Sequence, residues 1–372
     1  MTGGGAVIVG TLRSAVVPRH GAFDRLEIHQ LAAPVISTLL AQTGIAAWEV
    51  DELILGNALG AGGNPARLAA LQAGLPKLVG GLTIDRQCCS GMDAVLLADA
   101  LIRAGRCEVV IAGGAESYSR RPMRLRTDPE GGPAIPYDQP PFAPSPEQDP
   151  LMPDAADRIA REMNISRQDQ DDWAVTSHAR AQAAVTRLHD EITVINGVAA
   201  DPFTRPLTQR LAARAPVLSG TVTKANTAVA ADAAAFCLLV SERIAKRLST
   251  PHWRILSGMT LGDDPSLPGI APVAAIRETL AATGLTPDRL HAIEMMEAFA
   301  AQAIACARMT DLPADRINPG GGALARGHPI GASGAINLVR LARELESPGQ
   351  TGLAAIAAAG GLGTAVVMER IG

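Results

Sequence analysis

The stretch Asp85–Ala94 reads D-R-Q-C-C-S-G-M-D-A, and the reading of the whole chain works outward from it. A polar turn gives way to an Ala- and Leu-rich run of helical period that reaches about Ala104, so a strand is expected to turn into a helix at Cys88 or its neighbour. A thiol at such a junction feels the positive end of the helix dipole, which favours thiolate and hence nucleophilicity. N–H groups without helical partners at the same junction could stabilise an oxyanion. Most free cysteines are small buried hydrophobes, and that reading stays open for Cys88. It suits Cys89 better, since adjacent side chains point apart.

Upstream, Ala6–Val9 reads as a strand, Leu26 to Thr43 as a helix, Glu52–Leu55 as a strand and Asn64 to Ala73 as a helix. Downstream, Glu108–Ala112 reads as a strand ending in Gly113-Gly114. This βαβα rhythm predicts an α/β architecture. The proline-rich stretch Arg120 to Pro153 breaks it as an elaborate loop, followed by two polar helices, Asp154–Met163 and Arg167–Leu188. After about Gly220 the rhythm resumes. A weak repeat then emerges. Ser90-Gly91 opens a helix ending at Gly105 and a strand ending in Gly113-Gly114, and Ser333-Gly334 opens a helix ending near Gly349 and a strand ending in Gly360-Gly361. Two similar halves are expected; chance likeness of two Gly/Ala-rich segments is the alternative.

The chain has 372 residues, 47% of them hydrophobic, enough for a large core. A net charge of −4 supplies no basic field for nucleic acid or anionic lipid. The opening MTGGGAVIVG pairs no charged leader with a long apolar run, so neither a signal peptide nor a membrane span is expected. The most apolar tract, Gly352 to Val367, reads as buried strands. Five cysteines, an odd number without a C-x-x-C pair, argue against a disulfide framework or a metal site and fit a reducing cytoplasm.

His328 lies in N-P-G-G-G-A-L-A-R-G-H-P-I-G-A-S-G, residues 318–334. So many glycines imply close backbone approach to a ligand or to another segment. The imidazole could act as base toward Cys88 and later as electrophile. A phosphate-binding loop is a second reading, weak without a G-K-[ST] ending, and a tight turn with an incidental histidine is a third. Glu116, and Glu297 within E-M-M-E-A-F-A, could each orient a catalytic group or tie loops together. Arg120, Arg121, Arg124 and Arg126 could hold a nucleotide phosphate or form a solvated loop face.

Together these segments resemble the thiolase family along nearly the whole chain. C-x-S-G appears as Cys88–Gly91, G-G-x-E-S-x-S-x-x-P as Gly113–Pro122, and I-S-R-x-x-Q-D-x-x-A-x-x-S-H as Ile165–His178. G-T-V-T is Gly220–Thr223, E-A-F-A is Glu297–Ala300, and G-G-A-x-A-x-G-H-P-x-G-A-S-G is Gly321–Gly334. The resemblance implies a five-layer αβαβα fold of two related halves. The N-terminal half would comprise residues 1–119 plus about 220–250, the C-terminal half 251–372, and an inserted CoA-binding loop domain 120–219. It implies an acyl-CoA C-acyltransferase, working as a homodimer or homotetramer on a coenzyme A thioester, with no resident cofactor and no metal. Cys88 would be acylated and His328 would accept its proton. Backbone N–H groups of Cys88 and Gly361 would form the oxyanion hole, and Arg214, Met152, Ala228 and Phe299 would contact the substrate.

Four positions depart from the family's pattern. Ala357 stands where a second cysteine exchanges the α-proton, and Met296 where an asparagine holds a water; a thioether donates no hydrogen bond. Leu151 stands for a histidine, and Ala228 for a serine that meets the pantetheine arm. Cys237 and Cys306 are expected to pack rather than substitute. The first reading is an acyltransferase that keeps Cys88 and His328 and tolerates these changes, in thiolysis of a 3-ketoacyl-CoA or condensation of acyl-CoAs, with the missing base arguing against efficient condensation. The alternatives are decarboxylative or non-carbon acceptor chemistry, or a non-catalytic partner subunit.

Overall fold

The computed structural model describes residues 5–60 and 62–372; residues 1–4 of the opening stretch lie outside the described residues. The first unit runs β1 (Ala6–Ser14), α1 (Ile28–Thr43), β2 (Glu52–Gly56), α2 (Pro65–Gln72), β3 (Leu82–Ile84), α3 (Ser90–Arg103) and β4 (Val109–Glu116). Local chemistry sets these boundaries. Gln30 accepts from the Glu27 N–H at 2.9 Å to open α1, and Gly44, with φ of 72°, closes it in the left-handed region. Asn64 caps α2 by accepting from Arg67 N–H, with Pro65 in the first turn.

An insertion follows, with the hairpin β5 (Arg124–Arg126) and β6 (Ile135–Tyr137) and the helices α4 (Met152–Glu162), α5 (Arg167–Ala183) and α6 (Gln209–Ala213). The chain then returns through β7 (Ala231–Ser241), β8 (Trp253–Gly262), α7 (Pro272–Thr283), β9 (Ala292–Met295), α8 (Ala300–Met309), α9 (Ile330–Glu344), β10 (Thr351–Ala358) and β11 (Leu362–Arg370). The strands lie in the order β9-β10-β11-β8-β1-β7-β4-β2-β3. Between β8 and β1 the described register is a single pair, Ile8 with Trp253, so this continuous sheet is two sheets hinged at one point.

Alternating burial along the strands shows the layers. Val109 and Ile111 of β4 face a core shared with α1 and α2, while Val110 and Ala112 face the opposite core with α3. In the other sheet, Leu353 and Ala355 of β10 face α7 and α8, while Ala354 and Ile356 face inward. Helices α3 and α9 thus form the middle of a five-layer α/β/α/β/α stack. They cross on the two repeated glycines. A Cβ on Gly91 would lie 2.7 Å from Gly331 O, and one on Gly334 would lie 2.7 Å from Met92 N.

Several expected boundaries move. β1 runs past Val9 to Ser14, α5 stops at Ala183 short of Leu188, and β4, expected to end in Gly113-Gly114, continues to Glu116. A Cβ on Gly114 would sit 2.0 Å from Gly331 O, so this glycine admits α9 against the strand rather than turning the chain.

Candidate active site

The turn before α3 is wound tightly. Gln87 takes φ of 50°, unusual for a residue with a side chain, and is held by Ser90 Oγ donating to its carbonyl at 2.7 Å and Asp85 Oδ1 accepting from its N–H at 2.8 Å. The next residue, Cys88, faces an apolar pocket of about 260 Å³, whereas Cys89 at the N-cap of α3 is fully buried in the central core.

His328 reaches the same pocket from the other half. Its N–H donates to Val229 O at 2.7 Å, and the preceding Gly327, at φ of 120°, leaves room for Ala231. The Nε2 atom lies 3.1 Å from Cys88 Sγ, and Nδ1 lies 2.7 Å from Ser333 Oγ. With its proton on Nδ1 and donated to Ser333, the ring offers the Nε2 lone pair to the thiol. The sequence motif contains Ser333, but no spacing marks it as the ring's partner, and its role went unread.

Burial pushes the Cys88 thiol up to about 12, against the N–H groups of Cys88 itself and Ala359, which favour the thiolate; the charges of Glu116 and Asp85 push further upward. Burial also brings His328 down to about 4. The resting pair is therefore neutral thiol and neutral imidazole. This corrects the expectation that the helix dipole favours thiolate: Cys88 precedes the first turn, and desolvation outweighs the dipole.

Met152, Ala228, Phe299 and Ala357 line the pocket with Cys88 and His328. Arg214 does not; it is exposed at the C-cap of α6. Gly361 does not either. Its φ is 73°, and it turns its carbonyl to Asp263 N–H at 2.7 Å, behind the wall that Ala357, Ala358 and Ala359 present. The amide of this turn that meets the sulfur is that of Ala359, two residues earlier. Met296 is buried in the central core and Leu151 is exposed.

The phosphate-loop reading fails on packing. A Cβ on Gly320 would meet Arg340 Nη2 at 2.1 Å and one on Gly322 would meet Glu297 Oε2 at 2.1 Å, so protein fills the space beside these glycines. Both carboxylates tie loops. Glu116 accepts from the N–H groups of Ala58, Leu59 and Gly331 at 3.0, 3.2 and 3.0 Å and from Asn57 Nδ2 at 2.6 Å, and burial raises it to about 7. Glu297 accepts from Trp173, Ser177, Asn318 and the Leu324 N–H. Of the four arginines, Arg121 and Arg124 border the pocket, while Arg120 pairs with Glu27 and Arg126 is exposed. Cys237 and Cys306 are buried in a strand and a helix. A larger groove of about 780 Å³, between Trp173 and Leu312, contains no nucleophilic thiol.

Comparison with known proteins finds matches along nearly the whole chain. The model described as "Thiolase, N-terminal domain" matches residues 6–243 and "Thiolase, C-terminal domain" matches residues 249–370. A Bacillus subtilis protein named "Putative acetyl-CoA C-acetyltransferase YhfS" is 40% identical, over 98% of this chain and 99% of its own. An Escherichia coli "Probable acetyl-CoA acetyltransferase" is 39% identical, over 98% of each. The crystal structure of the Bacillus anthracis acetyl-CoA acetyltransferase superposes over the full length of both chains with a TM-score of 0.92 at 32% identity.

Proposed function

Since the chain belongs to the thiolase family, we propose that it is an acyl-CoA C-acyltransferase that carries its acyl group on Cys88, with His328 moving the proton. The observation that carries this reading is the 3.1 Å contact between thiol and imidazole inside an apolar pocket.

In thiolysis, His328 Nε2 takes the Cys88 proton as the sulfur attacks the keto carbon of a 3-ketoacyl-CoA. The bond between that carbon and the α-carbon breaks, and its electron pair leaves on the α-carbon of acetyl-CoA. His328 returns the proton there, and the remaining acyl group stays on Cys88. CoA next gives its thiol proton to His328, its sulfur attacks the acyl-Cys88 carbonyl, and the departing Cys88 thiolate recovers the proton. Condensation is the reverse. Because the pair is neutral at rest, thiolate forms only as the proton moves, a form of assistance commonly worth about 10²–10⁴-fold. We assign the oxyanion to the N–H groups of Cys88 and Ala359, donors each typically worth about 2.7–4 kcal/mol.

Ala357 shares the pocket and accepts no proton, so His328 alone must remove the α-proton in condensation. The same proton is delivered to the α-carbon in thiolysis, so the alanine slows both directions alike. Met152, Ala228 and Phe299 suit the pantetheine arm and exposed Arg214 suits the nucleotide end of CoA; Met152 and Arg214 lie within residues 120–219, which supports reading that stretch as a CoA-binding loop domain. The substrate is a CoA thioester, and the chemistry requires no resident cofactor. A non-catalytic partner subunit would have no physical need of the Cys88–His328 pair.

A homodimer or homotetramer is supported by exposed Leu68, Leu71, Leu78 and Leu82 around the edge strand β3. No helix among the described residues is long and apolar enough to cross a membrane. Five free cysteines suit the reducing cytoplasm that a working thiol needs. The test is consumption of acetoacetyl-CoA in the presence of CoA. Turnover abolished by Cys88→Ala is expected, and undiminished turnover in that variant would end the proposal.

A further inference from the structure

The pocket that holds Cys88 is apolar on most of its wall, but Arg121 and Arg124 border it together with Tyr118, Leu59 and Ala58. The two arginines are not equivalent. Arg121 is neutralised by Asp138 at 2.5 Å and lies over the Tyr118 ring, 5.0 Å from its centroid. Arg124 is half-buried and forms no ion pair among the described residues; its Nη2 reaches only the Ala58 carbonyl, at 3.3 Å. That bond occupies one of five donors. A half-buried guanidinium with spare donors, bordering the pocket of a nucleophile, is an anion site waiting for a partner.

The anion is not a CoA phosphate. The pyrophosphate lies a whole pantetheine arm away from the thioester sulfur, and α4 and Phe299 supply the wall for that arm. Arg124 is held on the Ala58 carbonyl, outside the α4 and Phe299 wall, which assigns it to the acyl part. Resting on the acyl-transfer reading above, we propose that Arg124 binds a carboxylate at the far end of the acyl chain, so that the preferred substrate is the CoA thioester of a short 3-oxo dicarboxylic acid. Arg121 holds the loop beside it and keeps the wall's net charge near that of one cation. Thiolysis leaves the carboxylate-bearing fragment on Cys88, which is the fragment that Arg124 can reach. A guanidinium pairs with carboxylate through two parallel N–H···O bonds, which selects for the charged end group and against a methyl end.

The experiment compares thiolysis of the six-carbon 3-oxo dicarboxylic acyl-CoA with that of the six-carbon 3-oxo monocarboxylic acyl-CoA. The wild-type enzyme is expected to prefer the former in kcat/KM, and Arg124→Met to lower the ratio of the two kcat/KM values by about 10- to 100-fold. Arg124→Lys, which keeps the charge but loses the fork, is expected to lie between them. Circular dichroism and thermal unfolding of each variant check the fold. A wild-type preference for the uncharged chain, or a ratio unmoved by Arg124→Met in a folded protein, would overturn the proposal while leaving acyl transfer intact. Turnover of neither substrate, with no acyl adduct on Cys88, would overturn the acyl-transfer reading itself and this proposal with it.

Discussion

Ser333 Oγ lies 2.7 Å from Nδ1 of His328, one turn into the helix that follows the histidine. With Ser333 Oγ accepting the Nδ1 proton, Nε2 faces Cys88 with its lone pair. Ser333→Ala leaves the thiol and the ring in place but frees the tautomer. It should lower kcat about tenfold, the scale of one neutral hydrogen bond, with KM little changed. A rise in KM with kcat unchanged would assign Ser333 to substrate binding instead.

The neutral resting pair makes a prediction about pH. With the thiol near 12 and the imidazole near 4, the thiolate fraction grows steadily across the physiological range while His328 stays uncharged. Alkylation of Cys88 by iodoacetamide should rise about tenfold per pH unit from pH 6 to 9 with no plateau. A plateau near neutrality would mean a thiolate–imidazolium pair.

Restoring a second thiol should restore α-proton chemistry. Ala357 lines the pocket near the end of β10, two residues before Ala359. Ala357→Cys should raise exchange of the acetyl-CoA α-hydrogens with solvent deuterium about tenfold or more, and Ala357→Cys with Met296→Asn should raise it further. Because Met296 is buried in the core rather than in the pocket, the double variant also needs its unfolding midpoint measured. No gain in exchange by a folded Ala357→Cys enzyme would show that position 357 cannot reach the substrate.

Stability between the halves rests on buried charge. Glu191 accepts from Arg13 Nε at 2.7 Å and from Arg340 Nη1 at 2.6 Å, all three fully buried. Burial alone would raise Glu191, but the two arginines overcome it and hold the carboxylate down at about 2. A depressed carboxylate adds stability above its unfolded value, and that stability is lost only as pH falls toward 2. Arg340→Met leaves Glu191 half-paired and should destabilise the protein by about 3–5 kcal/mol in urea unfolding near neutral pH. A change below 1 kcal/mol would mean that water or Arg13 compensates.

Much of this was legible in the sequence where local rules apply. Helices α1 and α2 lie within the stretches of helical period read at 26–43 and 64–73, and the contact of Cys88 with His328 follows from two glycine-rich motifs at matching places in a repeat. What stayed illegible depends on long-range packing. Gly113 and Gly114 read as the end of a strand because nothing local reveals that β7 lies against the first and α9 against the second. The proline-rich stretch hid the hairpin that brings Arg124 to the pocket, since a three-residue strand carries no usable alternation. Gly361 entered the oxyanion assignment through the family resemblance, but its carbonyl meets Asp263, and the amide at the sulfur belongs to Ala359.

The covalent step is tested most directly by intact mass after incubation with acetyl-CoA. The account predicts one acetyl group per chain, mapped by peptide digestion to Cys88, absent in Cys88→Ala and formed about 10²–10⁴-fold more slowly in His328→Ala. An acetyl group mapped to any other residue, or unaltered acetylation in His328→Ala, would contradict it.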